Sequence, residues 1–345
     1  MYNLKIEKID FNTGQRLDVE RFLSAFNLFL DKDVDCTVVA KDKDEIVGTC
    51  SYAGKIIKCF AVKKGLQGEG IASKLITYIT NDIFDKGIYE TFIFTKPQNY
   101  YIFQDLNYHE VYATKEVVLL EGGMANVKRY VKGMYKESGL GEGKKAALVM
   151  NCNPFTLGHR YLIERASREN TQVVVFIVEE NRSLFPFEVR VDLVKRGTKD
   201  LKNVHIVAGG DYIISSATFP SYFLRQEDER LKAYAKLDAG IFGKYISPVF
   251  HIDQRYVGTE PYCNVTKKYN DALLHVLPRY DIKVEVLQRF QQEGRAVSAS
   301  EVRRLIKLGD WDKLKRLVPK TTYDFLISSN AKDIIERIKR SDSPH

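Results

Sequence analysis

The chain has 345 residues, more than one hydrophobic core usually supports, so its length predicts two domains. With 44% hydrophobic and 28% charged residues, the composition is that of an ordinary soluble globular protein, and no segment is apolar enough to cross a membrane. The net charge of +8 favours an anionic partner, but the basic residues are spread through both halves, without the compact tract that follows a nucleic-acid strand. We therefore expect neither a nucleic acid nor a membrane as a partner.

The five cysteines are scattered without C-x-x-C spacing, which argues against a disulfide framework and against a zinc site. The N-terminus has no basic region followed by an apolar run and a cleavage site, so we expect no secretory signal. Both observations favour a reducing cytoplasm, and we expect no metal held by protein side chains.

Up to about residue 120, the sequence predicts short strands that alternate with amphipathic helices. One helix is clear because Ile71, Leu75, Ile79 and Ile83 recur at four-residue steps, and it ends at Gly87. The predicted strands outnumber the helices and lie at residues 4–9, 36–40, 46–53, 56–62, 91–95 and 111–120.

From residue 122 to 145 the chain becomes polar, and the glycines at 139–143 are expected to interrupt any regular element. We therefore predict a first domain of residues 1–130, a linker of residues 131–145 and a second domain of residues 146–345.

The second half contains long apolar strands, predicted at residues 146–150, 172–178, 204–208 and 282–287. Uninterrupted apolar runs indicate strands buried on both faces, as in a doubly wound α/β fold with a parallel sheet. Ligands of such sheets bind beyond the carboxyl ends of the strands, where the strand order reverses. The loop after the first strand is therefore the place to look for a site.

That loop runs from Asn151 to Arg160 and leads into a helical run. Thr156 is a suitable N-cap, and Thr156 and His159 share one face of the first helical turn. Free backbone N–H groups and the helix dipole favour phosphate at such a turn, and Gly158 would let a phosphate approach the backbone. His159 could donate hydrogen bonds to phosphates while pyrophosphate is displaced. The alternative is a capped helix with an incidental surface histidine.

The pattern Thr156-x-Gly158-His159 resembles the T/H-x-G-H motif of the nucleotidyltransferase superfamily, which shares its mechanism with class I aminoacyl-tRNA synthetases. A later element, with Ser298, Ser300 and Arg303, resembles the I-S-S-T-x-x-R element that closes over the triphosphate in that superfamily. The resemblance implies catalytic roles for His159, Thr156 and Arg303, with Arg303 on the β- or γ-phosphate. It also implies nucleotide contacts from Asn153, Phe155, Gly158, Gly258, Glu260, Ser298 and Ser300.

Simpler explanations stay open for three of these features. Ser298-x-x-Glu301 is a capping-box pattern that needs no ligand. Gly258 and Glu260 follow a strand predicted at residues 249–252, where a plain turn is equally expected. Arg190 resembles a superfamily arginine, but charges on a helix surface are usually solvated.

In the first half, residues 62–72 join a strand to a helix and contain Gln67, Gly68, Gly70 and Ala72. They resemble the Q/R-x-x-G-x-G/A loop with which GNAT acyltransferases bind the pyrophosphate of coenzyme A. A plain glycine-rich helix entry is the alternative. Residues 100–108 look like that family's final helix and turn, with Asn107 where glycine is common, and no side chain identifies itself as a catalytic base.

A GNAT-like α+β domain followed by a Rossmann-like, HxGH-type nucleotidyltransferase domain resembles the citrate lyase ligase family over essentially the whole chain. The resemblance is strongest at residues 151–164, 179–187, 210–223 and 297–303. It implies an AMP-forming ligase that uses ATP, with Mg²⁺ held mainly through the phosphates, and acetate. Through acetyl adenylate, such a ligase acetylates the prosthetic-group thiol of the acyl-carrier (gamma) subunit of citrate lyase, a dephospho-coenzyme A derivative.

Three other functions stay open at this point. The chain could be an adenylyltransferase that acts on a phosphorylated acceptor, a coenzyme A-binding regulatory protein, or a GNAT-type acetyltransferase. Within the second half, residues 215–223 mix hydroxyl and aromatic side chains and could form an acetate pocket or part of the core. Cys152 beside the phosphate loop is interpreted as a small buried residue rather than a nucleophile.

Overall fold

The computed structural model describes residues 4–11, 14–180, 183–214, 219, 227–259, 264–292 and 294–341. The chain divides into two compact units, one of Met1–Tyr130 with Phe219–Leu237 and one of Val131–Thr218 with Asp238–His345. In the part of the chain that the structure describes, no helix has the length and apolar character to span a bilayer.

The first unit contains a seven-stranded sheet. Its strands are β1 (Leu4–Lys8), β2 (Cys36–Asp42), β3 (Glu45–Ala53), β4 (Ile56–Val62), β5 (Glu90–Thr95), β6 (His109–Ala113) and β7 (Val118–Gly123), in the order β1-β2-β3-β4-β5-β7-β6. Its helices include α1 (Gln15–Ser24), α2 (Ile71–Phe84) and α3 (Tyr100–Gln104). Helix α2 buries the predicted apolar face, which includes Leu75, Ile79 and Ile83.

Strands β4 and β5 are parallel but pair only where the start of β4 meets the middle of β5, with Ile56 facing Phe92 and Ile57 facing Ile93. Beyond that point β4 carries a bulge, because Cys59 has a φ of 53° and the register with β3 shifts there. The two strands therefore pair for only part of their length, and β4 leads into the loop before α2.

The single strand predicted at residues 111–120 is wrong, because the structure has two antiparallel strands, β6 and β7, in that region. The turn between them is stabilised by the hydroxyl of Thr114, which accepts from the backbone N–H groups of Glu116 and Val117 at 3.2 and 3.1 Å. The left-handed φ of 63° at Asn107 explains why glycine is common at such a position.

The second unit contains a five-stranded parallel sheet, as the buried apolar runs predict. Its strands are β8 (Lys145–Met150), β9 (Val173–Ile177), β10 (Val204–Ala208), β11 (Ile252–Gly258) and β12 (Lys283–Leu287), in the order β10-β9-β8-β11-β12. A short hairpin follows, formed by β13 (Gln291–Gln292) and β14 (Arg295–Ala296). The strand order reverses at β8, whose neighbours are β9 and β11.

Further helices complete the chain. They are α4 (Val127–Ser138), α5 (Leu157–Glu169), α6 (Phe187–Gly197), α7 (Glu227–Ile241), α8 (Ser247–Phe250), α9 (Asn264–Val276), α10 (Ala299–Leu308), α11 (Trp311–Lys315), α12 (Lys320–Leu326) and α13 (Lys332–Arg340). Helix α4 occupies much of the segment that the sequence suggests as a linker.

The strand predicted at residues 249–252 is also wrong for its first part, since α8 extends to Phe250 and only Ile252 belongs to a strand. Pro248 lies in the first turn of α8, where its fixed φ suits a helix, and His251 ends the helix with a φ of 56°. Strand β11 begins only at Ile252, so Gly258 is its last residue rather than part of a loop.

Candidate active site

The turn after β8 has the predicted form of strand, turn and helix, with Thr156 as the N-cap of α5. The Thr156 hydroxyl accepts from the backbone N–H of His159 at 3.4 Å. In return, the imidazole Nδ1 of His159 accepts from the backbone N–H of Thr156 at 3.1 Å. The two residues form a reciprocal capping box in which histidine takes the place usually held by Glu or Gln.

The tautomer of His159 is assigned from this hydrogen bond. A backbone N–H can only donate, so Nδ1 carries the lone pair and Nε2 carries the proton. Desolvation, with a smaller effect from the positive charge of Arg289, lowers the pKa of His159 to about 4, although the residue keeps partial solvent exposure. Near neutral pH the imidazole is therefore an uncharged donor through Nε2.

Phe155 holds the histidine ring from one side. The two rings are nearly parallel, with an interplanar angle of 17° and centroids 6.1 Å apart. Phe155 is fully buried, and Gly197 makes room for it, since a Cβ there would lie 2.5 Å from the phenyl ring. Phe155 therefore contributes by positioning His159 rather than by exposing a surface to a ligand.

Asn153 connects the turn to two other segments. Its side-chain Oδ1 accepts from the backbone N–H of Phe185 at 3.1 Å, and its backbone carbonyl accepts from Arg303 at 2.5 Å. Asn153 is only 6% exposed. The predicted nucleotide contact at Asn153 is therefore accompanied by a structural role, in which the residue fixes the shape of the turn.

Arg190 does not lie on a solvated helix surface, as its position in the sequence suggests, but is completely buried. Its guanidinium donates to the carbonyls of Asn151, Val178, Glu180 and Phe185 and to the side-chain oxygen of Asn151, at 2.7 to 3.1 Å. These acceptors follow β8 and β9, where backbone carbonyls have no strand partner. Arg190 satisfies them and thereby ties the two strand ends together.

The second predicted element begins α10, with Ser298 as its N-cap. The Ser298 hydroxyl accepts from the backbone N–H of Glu301 at 3.2 Å and lies 3.2 Å from the Ser300 hydroxyl. The other half of the predicted capping box is not formed, because the Glu301 carboxylate accepts two hydrogen bonds from Arg304 instead, at 2.7 and 2.8 Å.

The structure brings the two predicted elements together. A Cβ at Gly158 would lie 2.8 Å from the backbone carbonyl oxygen of Val297, the residue before Ser298. Arg303 is 7% exposed and joins α10 to the turn through the Asn153 carbonyl. The missing side chain at Gly158 thus has a packing reason in addition to the close approach of a phosphate proposed from the sequence.

The end of β11 lies beside the same helix. The Gly258 carbonyl accepts from the Asn270 side chain at 2.8 Å, and a Cβ at Gly258 would lie 3.4 Å from Leu162 of α5. A Cβ there would also lie 3.7 Å from the Cγ of Arg289. Glu260, the other residue predicted in this region, lies outside the described residues.

Cys152 is 1% exposed, and desolvation raises the pKa of its thiol to about 12. A thiol with that pKa is not ionised near neutral pH, so Cys152 is a small buried residue rather than a nucleophile.

The segment at 215–223 is largely outside the described residues, apart from Phe219. Phe219 is 3% exposed and packs in the first unit against the rings of Phe94 and Tyr234, with centroids 5.3 and 5.8 Å away. It is a core residue, which is one of the two alternatives left open by the sequence.

In the first unit, the loop before α2 exposes its backbone. Gly65, Gly68 and Gly70 have φ values of 88°, 93° and 73°, and a Cβ at any of them would meet no atom within 4 Å. Gln67 is exposed and Ala72 is half-buried in the first turn of α2. Gly70 occupies the N-cap position, and no side chain caps the helix there. Such a turn leaves helix-start N–H groups accessible to an anion.

Sequence reasoning missed Arg289 as a member of the site and the burial of Arg190. Arg289 belongs to no motif, and only its proximity in space to His159 and Gly258 reveals it. The sequence gives no clear signal for Arg190, because periodicity alone does not distinguish a buried arginine in the first turn of a helix from an exposed one.

Comparisons with known proteins agree with this architecture. A family model described as the citrate lyase ligase C-terminal domain matches residues 145–326, and the acetyltransferase (GNAT) family model matches residues 4–101. The citrate pro-3S-lyase ligase of Klebsiella pneumoniae is 35% identical over 320 residues, which cover 91% of this chain and 93% of that protein. Its counterpart in Escherichia coli (strain K12) is 33% identical over 315 residues, 90% of this chain and 89% of that protein.

A shorter similarity, with 35% identity over 75 residues, relates 21% of this chain to 46% of the phosphopantetheine adenylyltransferase of Symbiobacterium thermophilum. The fold defines the class of protein, in which a GNAT domain precedes a nucleotidyltransferase-like domain with a parallel sheet. The matches extend over most of the chain and of its relatives. The chain belongs to the citrate lyase ligase family, and the relatives from Klebsiella pneumoniae and Escherichia coli are named as ligases.

Proposed function

We propose that the chain is an AMP-forming acid–thiol ligase, which uses ATP and acetate to acetylate the prosthetic-group thiol on the acyl-carrier subunit of citrate lyase. The observation that carries the proposal is the neutral His159, whose Nε2–H is available as a donor at the first turn of α5. This turn follows β8, the strand at which the sheet order reverses. The names of the relatives supply the partner enzyme.

In the first step, an acetate oxygen attacks the α-phosphorus of ATP, the bond to the β-phosphate breaks, and pyrophosphate leaves. The product is acetyl adenylate. In the second step, the carrier thiolate attacks the acetyl carbon, AMP leaves, and the thiol proton passes to solvent. The His159 Nε2–H stabilises charge that develops on the phosphates, and Arg303 adds a positive charge. Two of the N–H groups that begin α5 are already used within the protein, since Leu157 donates to the Leu317 carbonyl at 3.0 Å and His159 to the Thr156 hydroxyl at 3.4 Å. No protein nucleophile is needed.

Mg²⁺ neutralises charge on the triphosphate in reactions of this kind. Across the ranges described in the structure, no group of three or more His, Cys, Asp or Glu side chains is arranged to hold a metal ion. In the proposed reaction the ligands of Mg²⁺ are mainly the phosphate oxygens.

The loop before α2 is assigned to the carrier. Its accessible helix-start N–H groups and its positive-φ glycines fit the pyrophosphate arm of a dephospho-coenzyme A-type prosthetic group. Gln67, Gly68, Gly70 and Ala72 would line that arm. The likeness to the GNAT family supports this assignment, because the matching residues include the loop.

The central test uses purified protein with ATP, Mg²⁺, acetate and deacetylated citrate lyase. We expect AMP to form only when acetate and the lyase are both present, and lyase activity to return in step with it. The His159→Asn variant serves as the control, since it keeps an acceptor for the Thr156 N–H but has no Nε2 donor. AMP formation that needs no acetate would contradict the proposal.

The similarity to phosphopantetheine adenylyltransferase favours a second candidate, adenylyl transfer to a phosphorylated acceptor. The two functions differ in what releases pyrophosphate. If the chain is the ligase, pyrophosphate release from ATP should require acetate. If the chain is an adenylyltransferase, pyrophosphate release should require a phosphopantetheine acceptor and no acetate. Acetylation that requires acetyl-coenzyme A and no ATP would instead assign the activity to the GNAT domain.

The carrier loop is tested separately with Gly70→Glu. We expect the added negative charge to weaken affinity for the carrier roughly tenfold or more, while acetate-dependent exchange between ATP and pyrophosphate is retained. Gly54→Glu is the matched control, because Gly54 also has a positive φ, 54°, and open surroundings. Equal carrier affinity in both variants would remove the loop from carrier binding.

A further inference from the structure

Arg289 lies two residues beyond the end of β12, at the carboxyl edge of the parallel sheet. Its backbone N–H donates to the hydroxyl of Thr259 at 3.1 Å, and the backbone N–H of Thr259 donates to the Leu287 carbonyl at 2.8 Å. The residues that follow β11 and β12 are therefore fixed to each other by hydrogen bonds. The backbone of Arg289 is thus held in place at the edge of the sheet.

The side chain of Arg289 starts over Gly258, where a Cβ would lie 3.7 Å from its Cγ and 3.4 Å from Leu162 of α5. The stem thus lies next to the helix that carries His159. The positive charge of Arg289 acts on His159, and Arg289 itself is only partly buried. A partly exposed cation is therefore close to the turn between β8 and α5, residues 151–156, which we call the phosphate turn.

Two other positive groups of this region are more deeply buried than Arg289. Arg190 is fully buried among backbone carbonyls, and Arg303 is 7% exposed and donates to the Asn153 carbonyl. His159 is neutral near pH 7, so it provides a donor but no charge. A triphosphate carries several negative charges, and Arg289 adds a more exposed positive charge to this side of the sheet.

We propose that Arg289 binds the triphosphate of the nucleotide, as a binding residue additional to those of the two sequence motifs. The inference rests on the proposed function, because it requires ATP at the start of α5. The triphosphate is favoured over the carboxylate of the acid substrate, since the Arg289 stem lies over Gly258 beside Leu162 of α5, the helix whose first turn carries His159.

The test measures the dissociation constants of ATP and of adenosine by calorimetry for the full chain and for Arg289→Ala and Arg289→Lys. We expect Arg289→Ala to weaken ATP binding roughly 10- to 100-fold, as for the loss of a charge-assisted contact, and to leave adenosine binding unchanged. The affinity of Arg289→Lys for ATP should lie between those of the unmodified chain and of Arg289→Ala. Arg279→Ala is the matched control, because Arg279 is an exposed arginine in the turn Leu277–Tyr280, before β12 begins.

Each other outcome overturns the inference. If Arg289→Ala binds ATP as tightly as the unmodified chain, Arg289 is not a nucleotide ligand, and the proposed function is unaffected. Equal losses for ATP and adenosine, in a variant whose thermal unfolding midpoint is unchanged, would contradict a contact specific to the triphosphate. An unchanged affinity for ATP with a raised KM for acetate would assign Arg289 to the acid. If the unmodified chain binds no ATP, this inference and the proposed function both fail.

Discussion

The imidazole Nδ1 of His159 accepts a hydrogen bond from the backbone N–H of Thr156 at 3.1 Å, and this contact gives the histidine two roles. It completes the cap of α5, and it leaves the ring proton on Nε2. The residue that would donate to the phosphates therefore also stabilises the helix start. Substitutions at this position have to separate the two roles.

Replacing His159 by Asn should do so, because the Asn Oδ1 can accept from the Thr156 N–H in place of Nδ1, while no donor remains at the Nε2 position. We expect His159→Asn to lower the turnover of acetate-dependent ATP–pyrophosphate exchange about 100-fold or more. Its thermal unfolding midpoint should stay close to that of the unmodified chain.

His159→Ala is the companion variant. It removes the donor and the cap together, so it should show a similar loss of turnover and a further loss of about 1 kcal/mol in the free energy of unfolding. Near-normal turnover in His159→Asn would exclude the Nε2–H from the reaction.

The pH dependence follows from the lowered pKa of His159, about 4, against an ordinary value of 6.5. A histidine whose pKa is lower in the folded than in the unfolded state binds its proton mainly after unfolding. Its contribution to stability is therefore fully present above pH 6.5 and is lost as the pH falls through 4. We expect the His159 ring signals to titrate near pH 4 in an NMR experiment, with His159→Asn used to assign them.

Arg289→Ala provides a check on the cause of that shift. Burial is the larger cause and the charge of Arg289 the smaller one, so the pKa of His159 should rise in this variant but stay below 6.5. A midpoint near 6.5 in the unmodified chain would contradict the neutral, donor-only histidine.

Arg190→Met should destabilise the protein more than an ordinary surface change. The substitution leaves several carbonyls after β8 and β9 without their buried donor, so we expect a loss of about 3 kcal/mol or more in the free energy of unfolding by urea. Arg196→Ala on the same helix is the control, since Arg196 is 46% exposed and pairs only with Asp192, at 2.8 Å, among the described contacts. It should change stability by about 0.5 kcal/mol or less. Equal effects from both variants would contradict the role assigned to Arg190.

Gly158→Ala should push the start of α10 away from the phosphate turn, because the new Cβ would lie 2.8 Å from the Val297 carbonyl oxygen. We expect a loss of about 1–3 kcal/mol in stability and a weaker affinity for ATP, measured by thermal unfolding and calorimetry. Gly133→Ala is the control: Gly133 lies within α4 with no atom near its Cβ position, and alanine there should stabilise the helix. An unchanged affinity for ATP in Gly158→Ala would show that the spacing between the two elements does not matter.

The parts of the fold that sequence predicted are those set by local pattern. The unbroken apolar run of Val173–Ile177 forms a fully buried parallel strand, and the four-residue spacing of Leu75 and Ile79 forms the buried face of α2. Thr156 is the N-cap, as its type and position predict, because capping depends on residues within one turn.

The parts that were missed depend on contacts between distant segments. Arg190 has the sequence pattern of a surface charge, and only the residues after β8 and β9 supply its buried acceptors. Arg289 and His159 are 130 residues apart in the sequence and close in the structure. One miss is local instead: the Glu301 carboxylate could accept from the N-cap backbone or from Arg304 three residues later, and it pairs with Arg304. No pattern in the neighbouring residues decides such competitions.

The buried guanidinium of Arg190, together with the Asn153 contacts, gives the phosphate turn its form through hydrogen bonds internal to the protein. When the protein holds a binding turn in a fixed shape before the nucleotide arrives, association costs less conformational entropy than when a mobile loop must become ordered. Affinity for ATP should therefore respond to substitutions that never touch it, and such substitutions should act mainly by loosening the empty enzyme.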